Sequence, residues 1–177
     1  MNAPETIQTE RLILRKPRMD DAPFLFKRYA QDPEVTRYLM WKPHKHVSET
    51  EDFLKRCLDV WEQKTNFPYV LTLKEKDEPI GMLEVHTKWF KLEVGYALAR
   101  PYWGKGYMTE ALRAVIAWAF AQPGIFRVQA ICDVENLGSA RVMEKAGMTR
   151  EGLLRRYVLH PNISAEPRDA YLYAVVK

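Results

Sequence analysis

At 177 residues, 47% hydrophobic and 28% charged, the chain has the balance of an ordinary globular protein with a sizeable core. Its net charge of +4 is scattered, with Arg155-Arg156 the one adjacent arginine pair, which argues against nucleic acid as the main partner because such binding rests on a concentrated basic face. No apolar run approaches membrane-spanning length, the N-terminal segment lacks the pattern of a secretory signal, and the isolated Cys57 and Cys132 read as reduced, buried thiols of a cytoplasmic protein.

In chain order, "RLILRK" with the preceding Ile7 predicts a first strand closed by Pro17. Residues 20–31, "DDAPFLFKRYAQ", read as a short helix with acids in its first turn. Ser48 and Glu51 stand at the spacing of a capping box, opening a helix that carries Phe53, Leu54, Cys57, Leu58 and Trp61 on one face. Between the two helices lies the irregular, aromatic and basic "VTRYLMWKPHKHV", too apolar for a plain linker.

Three extended segments follow, over residues 68–74, 79–87 and 91–99, separated by polar turns. Ala111, Leu112, Val115, Ile116, Ala119 and Phe120 then recur at helical spacing until Pro123-Gly124 stops the run. "IFRVQAICDV" is a buried-type strand, and "NLGSARVMEKAG" a helix with Asn136 as cap and Gly147 as terminator. Two more strands, near 152–159 and 169–176, end the chain. Strands outnumber helices, and strand–helix–strand–helix–strand occurs once. The pattern predicts an α/β (α+β) fold: a mixed sheet with helices on both faces.

The segment "ARPYWGKGYMTEAL" sets Gly104, Lys105 and Gly106 between a strand and a helix that starts near Met108. It is not an ATP-type phosphate loop, because Gly106 follows the lysine where serine or threonine is required. It is not a dinucleotide fingerprint either, because Thr109 stands where a third glycine belongs. What remains is a helix start whose free N–H groups and positive end can seat an anion, with glycine clearing the approach. A lone pair of glycines is also compatible with a tight turn that binds nothing.

Taken together, "TERLILRKPRMDDAPFLFKRY", "IGMLEVH", "EVGYALARPYWGKGYMTEAL", "VENLGSARVMEKAGM" and "EGLLRRYV" resemble the GCN5-related N-acetyltransferases, specifically their ribosomal-protein N-terminal acetyltransferase branch. The resemblance covers almost the whole chain and implies one N-acetyltransferase domain over 1–177, with a mostly antiparallel central sheet. The family's phosphate pattern falls on Trp103, Gly106 and Met108, of which only Gly106 matches in full.

The resemblance implies acetyl-CoA as co-substrate, no metal, and a primary amine as acceptor, by direct attack in a ternary complex. The strand "LEVGYALA" would part from its neighbour and offer main-chain groups near Leu98 to pantetheine. Trp103, Gly104, Lys105, Gly106, Tyr107 and Met108 would take the pyrophosphate, with Asn136 near the pantetheine arm. The tyrosine many members use to protonate the leaving thiolate is replaced here by Met143, and Ser139 is the alternative that this branch uses. Alternation along the strands puts Glu84 and His86 with Ile80 and Met82, and sets Glu93, Gly95 and Ala97 opposite Leu92, Val94, Tyr96 and Leu98. Glu84, whose pKa an apolar face would raise, ranks ahead of Glu93 and His86 as the group that takes the amine's proton, with a water relay as the alternative.

Tyr38 and Trp41 are the candidate acceptor contacts. A protein N-terminal α-amine, an antibiotic amine and an amino acid all remain open as substrates, and a non-catalytic acyl-CoA sensor is the rival class. Both a monomer and a homodimer fit the sequence.

Overall fold

The computed structural model describes residues 2–177. Its strands are β1 (Thr6–Gln8), β2 (Leu12–Arg15), β3 (Asn66–Leu73), β4 (Lys76–Lys88), β5 (Lys91–Leu98), β6 (Arg127–Asp133), β7 (Thr149–Val158) and β8 (Arg168–Val176). Its helices are α1 (Ala22–Leu25), α2 (Pro33–Thr36), α3 (Val47–Glu62), α4 (Tyr107–Ala121) and α5 (Leu137–Lys145). The strands form one sheet of order β1-β2-β3-β4-β5-β6-β8-β7, antiparallel throughout except for the parallel pair β5–β6. The expected α/β architecture, a mostly antiparallel sheet between helical layers, is what the chain adopts.

Each face of the sheet has its own core. Leu71, Leu83, Val85, Leu92 and Val94 pack with Leu112, Val115 and Ile116 of α4 and Met143 of α5. On the opposite face Val70 and Met82 meet Leu25, Tyr29, Leu54 and Cys57 from the α1–α3 layer. β3 is buried along both faces, so it reads as a continuous apolar run rather than an alternating one. Both cysteines are buried and unpaired, and burial pushes their thiols up, to about 12 at Cys57 and about 11 at Cys132.

Several local expectations change. Ile7 is not part of the "RLILRK" strand but lies in β1, paired with Leu14, because Thr9 and Leu12 close a tight turn between the strands. The 20–31 helix is fragmented: a 3-10 turn leads into α1, which widens into a π turn over Phe26–Ala30. The irregular 35–47 segment begins inside α2, which is capped by Asp32, whose Oδ1 accepts from Glu34 N at 2.9 Å. α3 begins at Val47, not after Ser48. Glu49, rather than Glu51, reaches back to the amides of Lys45 and His46, at 3.0 and 3.1 Å.

Ile80 is also displaced from the face it was expected to share with Met82, Glu84 and His86. The register between β3 and β4 steps from Leu71↔Gly81 to Thr72↔Pro79, a bulge that swings Ile80 into the core under α4. Met82 stays with the other core.

Candidate active site

β5 and β6 pair only from Lys91↔Arg127 to Glu93↔Gln129 and then part. The gap between them is the middle of an open cleft of about 1370 Å³ that runs from the glycine corner, past β5, to Tyr38, Trp41 and His160. The N–H of Ala99 donates to Ile80 O at 2.8 Å, so Ala99 bonds back toward β4. In an alternating antiparallel ladder the main-chain groups of Leu98 then face the side that β6 has vacated.

Of those two groups, one is taken. Trp103 Nε1 donates to Leu98 O at 2.6 Å. The indole thus folds back onto β5 instead of turning toward an anion, and of Leu98's groups the N–H is left for the cleft.

The corner itself is built for close approach. Gly104 and Gly106 have φ of +72° and +81°, the left-handed region that favours glycine, and Gly106 is the residue from which α4 starts. The first-turn amides of Tyr107, Met108 and Thr109 have no carbonyl within the helix to bond. Behind the corner, Arg11 Nη1 donates to Lys105 O at 3.0 Å, and its guanidinium stacks 4.5 Å from the centre of the Tyr107 ring. Glu110 fixes that brace, accepting from Arg11 Nε at 2.6 Å, Arg11 N at 2.8 Å and Thr9 Oγ1 at 2.5 Å. Arg11 and Glu110 lie 99 positions apart, so no local pattern pairs them.

Asn136 caps α5 as expected, its Oδ1 accepting from Ser139 N at 3.1 Å. Ser139 lines the cleft, and its Oγ lies 2.9 Å from the hydroxyl of Tyr96 on β5. Met143, fully buried beneath, has no proton to give.

On the other face, Glu84 and Glu93 both line the cleft but differ in their ties. Glu93 Oε1 accepts from Gln129 Nε2 at 2.9 Å and pairs with Lys91 at 3.4 Å. Glu84 has His86 Nε2 at 3.4 Å. Its cross-strand partner is Gly95, beside which a Cβ would find nothing within 4 Å. The open floor therefore lies next to Glu84.

Tyr38 and Trp41 also line the cleft, although Trp41 is partly core, with its ring centre 4.8 Å from that of His44 and 6.2 Å from that of Tyr29. Asn162 clamps their loop, its amide donating to the carbonyls of Thr36 and Trp41, each at 2.7 Å. His160, only 4% exposed, presents its ring to the edge of Tyr38 and sits with Nε2 3.7 Å from Asp133 Oδ2. Burial works against the charge of Asp133, yet Arg168 Nε at 2.6 Å keeps its carboxyl below the usual range. Neither Asn162 nor His160 was among the sequence candidates. Both sit in the Pro-rich β7–β8 connection, which has no periodicity to read.

Burial also holds His44 and His160 below the ordinary histidine pKa. A histidine with a depressed folded-state value contributes stability that is complete above its unfolded value and lost as pH falls toward the folded one. We therefore expect the melting temperature to begin falling below about pH 6.5, ahead of the loss below about pH 4 from carboxylates such as Asp133. A His44→Gln/His160→Gln double variant should flatten the first step and leave the second. An unchanged first step would refute the assignment.

Comparison with known proteins places this geometry. The model of the acetyltransferase (GNAT) domain matches residues 11–149. The uncharacterized N-acetyltransferase p20 of Bacillus licheniformis is 33% identical over 178 residues, covering 98% of this chain and 97% of its own. The ribosomal protein uS5-alanine N-acetyltransferase of Escherichia coli is 27% identical, covering 98% and 92%. The crystal structure of a GNAT-family acetyltransferase from Bacillus anthracis superposes with a TM-score of 0.84 at 29% identity, covering 97% and 98%.

Proposed function

This chain belongs to the acetyltransferase (GNAT) family and is an acetyl-CoA-dependent N-acetyltransferase; from that premise we propose that its acceptor is the α-amine of a protein N-terminus. The observation that supports the acceptor reading is the open apolar rim on the far side of the cleft. Met40 is 75% and Tyr157 60% exposed there, beside Tyr38 and Trp41, a surface that residues following a terminal amine would cover. The Escherichia coli relative is named for acetylating an alanine of ribosomal protein uS5, an acceptor carried by a protein rather than by a small molecule.

Acetyl-CoA supplies an activated acetyl thioester. Its residues here would be Gly104, Lys105, Gly106, Tyr107 and Met108, whose main chain suits a diphosphate: left-handed glycines give access, and the α4 amides and helix end attract negative charge. Trp103 would contribute as a brace rather than a phosphate contact. Leu98 N–H, facing the gap, would donate to the acetyl oxygen as negative charge develops on it. Glu84, beside the open floor, would take the proton of the acceptor ammonium. Ser139 would donate to the departing sulfur. Asn136, occupied by its cap, would hold Ser139 in place.

Thermal denaturation tests the premise about the donor. Acetyl-CoA at ~100 times its dissociation constant should add roughly 2.7 kcal/mol of stability. A panel of alanine-starting peptides, lysine side-chain amines and free amino acids then tests the acceptor. Faster thiol release with the peptides carries the reading, and preference for a small amine would overturn it.

A further inference from the structure

We propose that Tyr96 is a positioning residue for the leaving group, donating a hydrogen bond from its phenol to Ser139 Oγ so that the serine's own proton is free to face the cleft. The inference rests on the reading of Ser139 as the donor to sulfur.

A serine hydroxyl has one proton and a strong tendency to give it to nearby main chain, especially in the first turn of a helix. Two features of this chain bear on where that proton goes. The cap that Ser139 might itself supply is provided by Asn136, which already accepts from the Ser139 amide at 3.1 Å. A second hydroxyl then meets Ser139 from outside the helix: the single phenolic proton of Tyr96 has two acceptors in reach, Ser139 Oγ at 2.9 Å and Ser139 O at 3.2 Å, and under this reading it goes to the nearer.

Tyr96 comes from β5, two residues before Leu98 and on the same side of the strand. Alternation puts its ring on the α4 and α5 face, where it packs against the core. The phenol is thus the one polar group on an otherwise apolar row of Leu92, Val94 and Leu98. Burial raises its pKa, so it stays protonated and can serve only as a donor or a neutral acceptor. The Leu98 N–H and the Tyr96–Ser139 pair consequently line one wall of the cleft, the first suited to the acetyl oxygen and the second to the sulfur.

The proton count closes without any further reagent. A carbon–nitrogen bond forms to the acetyl carbon, and the carbon–sulfur bond breaks with its electron pair going to sulfur. Three protons on the ammonium become one on the amide. Of the two released, one leaves through Glu84 to solvent. Sulfur takes the Ser139 proton, and Ser139 recovers the second released proton through water. Tyr96 keeps its own proton throughout and orients the donor.

The test uses the full chain with Tyr96→Phe, Ser139→Ala and the double variant, an alanine-starting peptide as acceptor, and two readouts. Turnover is one. The other needs no acceptor: the ultraviolet thiolate titration of bound coenzyme A. Ser139→Ala should lower kcat about 100-fold, near the lower range for acid–base groups. Tyr96→Phe should lower kcat about tenfold, the weight of one hydrogen bond, with KM for acetyl-CoA unchanged and the thiol midpoint moved upward. In the Ser139→Ala background the same change should have no further effect, since the two act as one unit.

Wild-type kcat in Tyr96→Phe beside a crippled Ser139→Ala overturns this inference and leaves the reading of Ser139 standing. Wild-type kcat in Ser139→Ala overturns the reading itself. Additive losses with an unmoved thiol midpoint would make Tyr96 a packing residue only. Should Tyr96→Phe melt early, the titration of Ser139→Ala still decides: an unmoved midpoint shows that no hydroxyl donates to sulfur there.

Discussion

Gly106→Val should weaken acetyl-CoA binding about 100-fold or more while leaving a folded protein. Two effects combine. At φ of +81° an L-residue pays roughly 1–2 kcal/mol, and a β-branched side chain more, so the chain will relax toward negative φ. That relaxation rotates the amides at the start of α4 away from a common point. Hydrogen bonds to a charged group contribute about 1.5–3 kcal/mol each, so loss of one or two of them sets the scale at tenfold per 1.4 kcal/mol. A Cβ would meet Arg11 Nη2 at 3.4 Å, ordinary contact with a flexible side-chain end, so the expected loss comes from the backbone rather than from a clash.

Gly124 provides the control. It has a similar φ of +79° with open space around it, beyond the far end of α4. Gly124→Ala should therefore carry the backbone strain alone: a lower melting temperature and unchanged affinity by calorimetry. Equal affinity for wild type and Gly106→Val would remove the corner from cofactor binding.

Local features of this fold are written in local sequence. The α4 face repeats at helical spacing, Asn136 stands where a cap belongs, and the glycine pair marks the corner. Each is decided by residues within a few positions of one another, and each is found where the pattern puts it. The candidate site is only half local. Glu84, Ser139 and the 103–108 corner stand out in the sequence, and they line one cleft.

Their closest partners were not found. Arg11 meets Glu110, Tyr96 meets Ser139, and Asn162 reaches Trp41, contacts that exist only once β5, α5 and the C-terminal strands assemble. Periodicity gives the face of a residue but not what stands opposite. Tyr96 came nearest to being legible, as the lone hydroxyl on an apolar row. The Ile80 bulge shows the converse: strict alternation along β4 predicts one face for Ile80 and Met82, and the register step at Thr72 puts Ile80 on the other.

Among the glycines, Gly81→Ala should be the most damaging alanine substitution. Gly81 follows Ile80 and pairs with Leu98 across β4–β5. A Cβ there would lie 2.4 Å from Ala97 O and 3.0 Å from Leu98 Cα, both main-chain atoms that cannot swing aside as a side-chain end would. Something must move, and the neighbour that must yield is β5. Overpacking of this kind costs about 1–3 kcal/mol, which at about 2–4 °C per kcal/mol predicts a fall of about 2–12 °C in Tm for a chain of this size.

The functional loss should exceed what that stability change explains. β5 carries the Leu98 N–H at the point where the sheet opens, and Tyr96 two residues earlier, so a shift of β5 would misplace both of the donors proposed for the reaction. Misplacement on the ångström scale can cost about 100-fold. We therefore expect kcat to fall by at least tenfold at temperatures where Gly81→Ala is fully folded by circular dichroism. Gly95→Ala, on β5 itself with nothing within 4 Å of its Cβ, should melt like the wild type. If Gly81→Ala instead loses stability but keeps its turnover, the edge of β5 is a packing surface, and the acetyl oxygen must find its donor elsewhere.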